Sequence, residues 1–193
     1  FNPLQKGFRQ QQIAATELNS NTRDGVIHFP NIRTTTLWGQ VHDEKAFYSM
    51  GGVSGHAGLF SNTGDIAVLM QTMLNGGGYG NVTLFSPETV KMFTQSSPED
   101  ATFGLGWRVN GNASMTPTFG TLASAQAYGH TGWTGTLTVI DPANQMAIVM
   151  LSNKPHSPVA DPQKNPNMFN SGLMPIATYG WVVDQIYAAL KHE

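Results

Sequence analysis

The chain has 193 residues, of which 40% are apolar and 11% are charged, and its formal net charge is -2. This length and apolar fraction suffice for one domain with a sizeable core, and the absence of a basic excess argues against nucleic acid as a partner. The chain contains no cysteine, which excludes disulfides and thiolate metal sites. No run approaches the roughly 18 consecutive apolar residues of a membrane span, and no secretory signal is present.

The first part of the chain is irregular. It opens with "FNPLQKGF" rather than with Met, and residues 1–55 show short apolar islands between Asn, Gly, Pro and Thr. We expect that Phe1 is not a translation start and that the chain is a processed piece or a segment of a longer protein. We also expect residues 1–55 to form a loop-rich cover around a cleft, because long loops in compact domains are usually functional.

Residues 56–100 are predicted to be the helical part of the chain. A first helix is expected after a cap at Ser61 or Asn62, and it should end before "NGGGYG". In "SPETVKMFT" a second helix is predicted, with Ser86 as its cap and Pro87 as its first helical residue.

Residues 101–193 are predicted to supply the sheet strands and the C-terminal helix. Phe103–Val109 indicates a short strand, and Thr134–Ile140 and Met146–Leu151 indicate a hairpin with the turn "DPAN". The strand "MAIVML" is apolar on both faces, so we expect it to be central in its sheet. A Pro- and Asn-rich loop then leads to a final helix. Its apolar stripe consists of Ile176, Tyr179, Val183, Ile186 and Leu190.

Together these elements predict an α+β fold, in which an antiparallel β-sheet is flanked by helices. No nucleophile can be identified within it from the sequence. A Gly-x-Ser-x-Gly motif is absent, because His56 stands two places after Ser54 in "GGVSGHAG", and no serine has a lysine three residues later. Ser-His-Asp triads can be assembled on paper, but residue order does not test their geometry.

No metal or other cofactor is expected. No two histidines are spaced i, i+4, and His-Glu-x-x-His does not occur. The segment Val41–Glu44 ("VHDE") could converge with His56 in space, but histidine and aspartate in loops more often form ordinary hydrogen bonds. Ligand types without ligand spacing are weak support for a metal site.

The segment "GHTGWTG" is the strongest candidate for a functional site. His130 offers a titratable donor and acceptor, and Thr131 offers a hydroxyl. Gly132 permits a ligand to approach the backbone closely, and the amide of Trp133 would point outward if the strand lay at an edge. Three such residues often form only a turn, but their place before a strand with a buried neighbour favours a cleft.

The same segment carries a family resemblance. "GHTGWTGTLTVIDPANQMAIVMLSNK" resembles the third motif and following hairpin of the serine β-lactamase and penicillin-binding-protein superfamily, in its class C-like branch. "GQVHDEKAFYSMGGVSGHAGLFSNTGDIAVLMQTMLNGG" and "FNPL" resemble other segments of that branch. The resemblance implies a β-lactamase/transpeptidase-like fold, of which residues 1–193 would be the C-terminal portion of one domain. The family's Ser-x-x-Lys nucleophile and Tyr-x-Asn motif normally precede this portion, and neither is in place here.

The resemblance also implies roles for the motif. A serine would attack a D-Ala-D-Ala peptide, a β-lactam or an ester. His130, in the place of the usual lysine, and Thr131 would bind the substrate carboxylate beside Gly132, and the Trp133 amide would be one oxyanion donor. Because histidine is only partly cationic near neutral pH, less acidic substrates would be favoured. His56 would either line the rim of the cleft or brace its glycine-rich turn.

Three further expectations follow from the resemblance. The protein would lie in the periplasm or cell envelope, its substrate would be a peptidoglycan peptide or a β-lactam, and its structural partner would be the missing N-terminal segment of the same fold. Without that segment the chain should be inactive. Two alternatives remain open: a non-catalytic relative that binds penicillin or peptidoglycan, and an esterase of the same fold.

Overall fold

A computed structural model of the protein describes residues 1–190. The chain divides into two compact units. The first unit comprises Phe1–Ser61 and Ser152–Met174, and the second comprises Asn62–Leu151 and the chain from Pro175 onwards. Within the described range, no helix is long and apolar enough to cross a membrane. The expectation of one domain over residues 1–193, with its three parts, stays a prediction.

The regular elements are short and are numbered here in chain order. The helices are α1 (Glu44–Ser49), α2 (Thr63–Leu74), α3 (Pro87–Thr94), α4 (Thr116–Phe119) and α5 (Tyr179–Leu190). The strands are β1 (Ala15–Glu17), β2 (Leu37–Trp38), β3 (Gly78–Tyr79), β4 (Val82–Thr83), β5 (Arg108–Val109), β6 (Tyr128–Gly132), β7 (Thr136–Asp141), β8 (Met146–Met150), β9 (Val159–Asp161) and β10 (Asn165–Phe169).

A buried ionic network stabilises the first unit. The carboxylate of Glu17 is fully buried and contacts both the guanidinium of Arg23 and the imidazole of His42. Arg33 donates hydrogen bonds to the carbonyl oxygens of Val41 (2.7 Å) and His42 (2.8 Å). A buried charge is tolerated when it is paired in this way. The network therefore connects β1 to the segment before α1, in a region with little apolar periodicity.

The first unit also contains a hairpin that the sequence did not predict. β9 and β10 pair antiparallel with an irregular register, in a stretch expected to be a loop. The expectation was wrong because proline and asparagine are depleted in strands. Part of the hairpin's support comes from outside it, since the backbone N–H of Val159 donates to the carboxylate of Asp24 at 2.7 Å.

In the second unit, β5, β6, β7 and β8 form an antiparallel sheet in that order. On one face of this sheet, Tyr128 and Ile140 pack in a cluster with Met70 of α2 and Val90 of α3. The other face carries a second cluster, whose buried members are Met115, Phe119, Ala127, Leu137, Val139, Ile148, Val183 and Tyr187. The predicted antiparallel sheet with flanking helices is therefore confirmed.

The helix starts predicted from capping residues are confirmed. The side chain of Asn62 accepts from the N–H of Asp65 (3.0 Å) at the start of α2, and Ser86 caps α3. The last helix begins later than its apolar stripe suggested, because Ile176 precedes α5 and is 63% exposed. Gly180 in α5 is explained by packing: a Cβ there would lie 2.1 Å from the carbonyl oxygen of Thr116.

Two strand predictions were wrong. Only Arg108 and Val109 of the stretch predicted from Phe103 form a strand, and the chain turns at Gly106 with a φ of 81°. "MAIVML" was expected to be central, but β8 lies at the edge of the four-stranded sheet in the described part of the chain, and Ala147 is exposed. The apolar sequence of a strand indicates that both its faces can be buried, but it does not show which strands lie beside it.

Asp141, at the end of β7, is hydrogen-bonded to α5 and to the segments on either side of the β6–β7 hairpin. Its buried carboxylate accepts hydrogen bonds from the hydroxyls of Ser124 (2.6 Å) and Tyr187 (2.5 Å) and from the amide of Asn144 (2.8 Å). Burial alone would raise the pKa of Asp141, but these hydrogen bonds outweigh it and hold the pKa below its usual value. Burial and the contact with Asp141 together raise the pKa of Tyr187.

Replacing Asp141 with Ala should lower the free energy of unfolding by about 2–4 kcal/mol, because buried donors lose their acceptor. Since the folded-state pKa of Asp141 lies below the unfolded value of about 4, its stabilisation is complete above that value. The stabilisation is lost as the pH falls through the folded-state pKa. Urea unfolding at pH 7 and pH 3 should therefore show a smaller difference between wild type and variant at pH 3. The exposed Glu99 provides a control. Glu99→Gln should change the free energy of unfolding by no more than about 0.5 kcal/mol at either pH.

Candidate active site

The close approach of β6 to β7 depends on Gly129. This residue lies opposite Val139 in the β6–β7 ladder and opposite Arg108 in the β5–β6 ladder. A Cβ on Gly129 would come within 1.9 Å of the backbone carbonyl oxygen of Thr138. Backbone atoms cannot move aside as a flexible side chain can, so glycine is required here for the two strands to pair.

His130 follows on β6, and its exposed imidazole is held by one ring nitrogen. Its Nδ1 lies 2.7 Å from the carbonyl oxygen of Thr131. A carbonyl oxygen only accepts, so Nδ1 is the donor and Nε2 of the neutral ring is an acceptor. The backbone N–H of His130 donates to the hydroxyl of Thr138 at 3.3 Å. The ring is therefore oriented by the strand itself, with Nε2 directed away from this anchor.

Thr131 and Gly132 complete β6. Thr131 is half-buried opposite Leu137, and within residues 1–190 its hydroxyl has no hydrogen-bond partner. Gly132 pairs with Thr136. Because successive side chains of a strand point to opposite faces, the side chains of His130 and Thr131 diverge. A ligand can contact both only if it lies along the edge of the strand.

Trp133 lies in the hairpin turn rather than in a strand. The turn is closed by the N–H of Gly135, which donates to the carbonyl oxygen of Gly132 at 3.0 Å, and Gly135 has a φ of 99°. β7 therefore starts at Thr136 and not at the predicted Thr134. Trp133 is 49% exposed. That its amide serves as an oxyanion donor stays a prediction.

β5 covers only part of the outer edge of β6. Its two residues pair with Tyr128 and Gly129 alone. In the part of the chain that the structure describes, no strand pairs with the edge of His130–Gly132 that faces away from β7. The motif predicted from the sequence therefore lies on an open strand edge, where its main-chain groups can bind an extended ligand.

His56 lies in the first unit, and the structure brings it together with two other polar side chains. Its Nδ1 is 2.5 Å from the hydroxyl of Ser54, and its Nε2 is 3.1 Å from the carboxylate of Asp43. Only Asp43 of the "VHDE" segment meets His56, since His42 contacts Glu17 instead. Among the described residues, no group of three or more His, Asp or Glu is placed to hold a metal ion.

The group of Asp43, His56 and Ser54 was not predicted as a unit. The spacing of Ser54 and His56 in "SGH" could have suggested their contact, because short-range bonds of this kind are common in turns. Asp43 lies 13 residues away, where it also caps α1 by accepting from the N–H of Ala46 at 2.8 Å. Burial alone would raise the pKa of Asp43, but its hydrogen bonds from Ala46 and His56 lower it below the usual value.

Each unit also contains an open cleft. In the first unit, a cavity of about 360 Å³ is lined by Leu4, Val41 and Phe47 among others. In the second unit, a cavity of about 380 Å³ borders Asn110 and Thr116. None of the site residues predicted from the sequence lines either cavity.

Gly129→Ala should disrupt the β6–β7 ladder and lower the thermal unfolding midpoint strongly, because its Cβ would overlap a backbone oxygen. Gly132→Ala is the matched comparison: its Cβ would meet the hydroxyl of Thr136 at 2.3 Å, and that side chain can rotate away. We expect the smaller effect from Gly132→Ala. Equal midpoints for both variants would contradict the requirement at Gly129.

Comparison with known proteins agrees with the resemblance. The profile of the family described as "Beta-lactamase" matches residues 1–173. A protein of Escherichia coli (strain K12) described as "Putative D-alanyl-D-alanine carboxypeptidase" is 88% identical over 193 residues, which are 100% of this chain and 44% of that protein. A protein of Salmonella agona (strain SL483) with the same description is 80% identical over 191 residues, 99% of this chain and 44% of that protein.

The chain thus spans less than half the length of these relatives. A crystal structure described as a "putative beta-lactamase from Bacteroides dorei DSM 17855" covers 80% of this chain and 47% of its own, at 16% identity and a TM-score of 0.45. That likeness is too loose to support an argument about the site. The family match covers most of the sequence and is sufficient by itself: the chain belongs to the Beta-lactamase family.

Proposed function

We propose that this chain is part of a serine acyl hydrolase that acts on D-Ala-D-Ala peptides of peptidoglycan or on β-lactams. It would contribute the substrate-binding strand edge, and the nucleophilic serine would come from the remainder of the longer protein. The observation that supports this proposal is the open edge of His130–Gly132, held in place by the β6–β7 ladder. The description of the relatives as D-alanyl-D-alanine carboxypeptidases agrees with it.

In the proposed complex, the substrate lies extended along the outer edge of β6. Main-chain groups of β6 would bind its backbone, as in other cases where a peptide adds to a sheet edge. Its carboxylate would lie where His130 and Thr131 reach around the edge from opposite faces. The amide of Trp133 would be one oxyanion donor, and the amide of the nucleophilic serine would be the other.

The histidine favours less acidic substrates than a lysine would. A lysine is a permanent cation near neutral pH, whereas a histidine is cationic for only part of the molecules. The Nδ1 of His130 already donates to the carbonyl oxygen of Thr131, so in the neutral ring the exposed Nε2 offers only an acceptor. The contact between His130 Nδ1 and the carbonyl oxygen of Thr131 therefore favours a second candidate function, the hydrolysis of esters that carry no carboxylate.

We further propose that the remainder of the longer protein covers β8. This strand is apolar in sequence but lies at the sheet edge in the described part of the chain. An apolar strand edge is normally paired or covered. A strand from the remainder of the longer protein would satisfy the free backbone groups of β8. A substrate in peptidoglycan would place the protein in the periplasm or cell envelope.

The chain of 193 residues should not be labelled covalently by a fluorescent penicillin, whereas the longer protein should be. The reason is that the proposed nucleophile lies outside this chain. Gel fluorescence after incubation with the probe measures the labelling of both proteins, with heat-denatured samples as the control. Penicillin labelling of the short chain would contradict this division of roles.

In the longer protein, His130→Ala should lower the rate of penicillin acylation about 10- to 100-fold, the value of one hydrogen bond to a charged group. His130→Lys should restore the rate, because the lysine ammonium can donate a hydrogen bond to the substrate carboxylate. The control His28→Ala changes an exposed histidine of the first unit and should have no effect. Unchanged acylation by His130→Ala would remove its proposed role.

A further inference from the structure

A second arrangement capable of acyl transfer lies in the first unit. Ser54, His56 and Asp43 form a continuous hydrogen-bonded series at the protein surface, with distances of 2.5 Å and 3.1 Å. The side chain of His56 is 48% exposed and that of Asp43 is 33% exposed. A nucleophile that contacts a base, which is in turn oriented by a third group, is the general signature of an activated hydroxyl.

The hydrogen bonds fix the roles within this series. The carboxylate of Asp43 accepts, so Nε2 of His56 carries the proton in the neutral ring and Nδ1 has the free electron pair. That electron pair faces the hydroxyl of Ser54. Asp43 is itself held in place as the cap of α1. The base is therefore oriented by a group that the fold has already positioned.

The backbone beside Ser54 supplies a place for an oxyanion. In the described part of the chain, the N–H groups of Ser54 and Gly55 donate to no protein acceptor. A Cβ on Gly55 would have nothing within 4 Å, so the space where a side chain of this residue would lie is open. Backbone N–H groups, including that of the residue after the nucleophile, can stabilise a tetrahedral intermediate.

We propose that Ser54 is a nucleophile, separate from the serine of the proposed hydrolase, which is acylated by small activated esters. Its Oγ bonds to the acyl carbon while its proton moves to Nδ1 of His56. The bond to the alkoxide leaving group breaks, and the imidazolium returns the proton to it. A water molecule then attacks the Ser54 ester by the same route and releases the acid.

The surroundings determine which substrates this serine can take. Because the site is exposed, it offers little binding energy, and esters with good leaving groups react best. The carboxylate of Asp43 lies next to His56 and repels anions. Ser54 is therefore expected to react with neutral esters and fluorophosphonates but not with penicillin, which carries a carboxylate.

A fluorophosphonate probe tests this site on the 193-residue chain. Intact-mass measurement and peptide mapping should find one phosphonyl group on Ser54, with release of fluoride. Ser54→Ala should abolish this label, and His56→Gln should slow its formation about 100-fold, the usual contribution of a general base. Asp43→Asn should slow it to a lesser extent, because asparagine still caps α1 but removes the charge.

Ser61→Ala is the matched control, since Ser61 is an exposed serine of the same unit, and it should label at the wild-type rate. Circular dichroism of each variant identifies a loss of folding. Equal labelling of Ser54 in His56→Gln, in a folded variant, would overturn the proposal and leave the contact as a brace of the turn. Labelling spread over several serines would overturn it as well. Neither result bears on penicillin acylation of the longer protein, so the two proposals fail separately.

Discussion

The pairing of β6 with β7 at Gly129 is the constraint on which the candidate active site depends. A shift of register by one residue would move His130 to the opposite face of the sheet. Three features prevent such a shift: the close backbone contact at Gly129, the hydrogen bond from His130 to Thr138, and the bonds that hold Asp141 at the end of β7. The position of the motif is therefore determined within the second unit, by contacts that the unit makes with itself.

Local signals in the sequence predicted local structure well. The caps at Asn62 and Ser86 and the turn after Asp141 were predicted because each depends on hydrogen bonds between residues close in the chain. The position of β8 in the sheet could not be predicted, since burial on both faces also depends on neighbouring elements. The β9–β10 hairpin was hidden for a similar reason: its support includes Asp24, which is 135 residues from Val159.

The two candidate sites also differ in whether they depend on residues close together or far apart in the chain. His130–Gly132 could be predicted as a candidate site from the sequence because the motif is continuous, although the divergence of its side chains required the strand register. The contact of His56 with Asp43 joins residues on either side of α1. The sequence indicated only that Val41–Glu44 could converge with His56, not which side chain would meet it. The buried ion pair of Glu17 and Arg23 could not be predicted either, because the order of charged residues in a sequence does not show which charged side chains are buried together.

The open edge of β6 also bears on the energetics of binding. The sheet carries His130 and Thr131 on a strand that the fold has already ordered, so a ligand does not have to organise them, and less binding free energy is spent on ordering the site. The same reasoning separates the two sites. The strand edge can bind an extended chain through several main-chain groups, whereas the group at Ser54 offers one hydroxyl and two amides at an exposed turn. If both proposals hold, specific recognition would belong to the strand edge, and the exposed serine would be suited only to substrates whose own reactivity lowers the barrier.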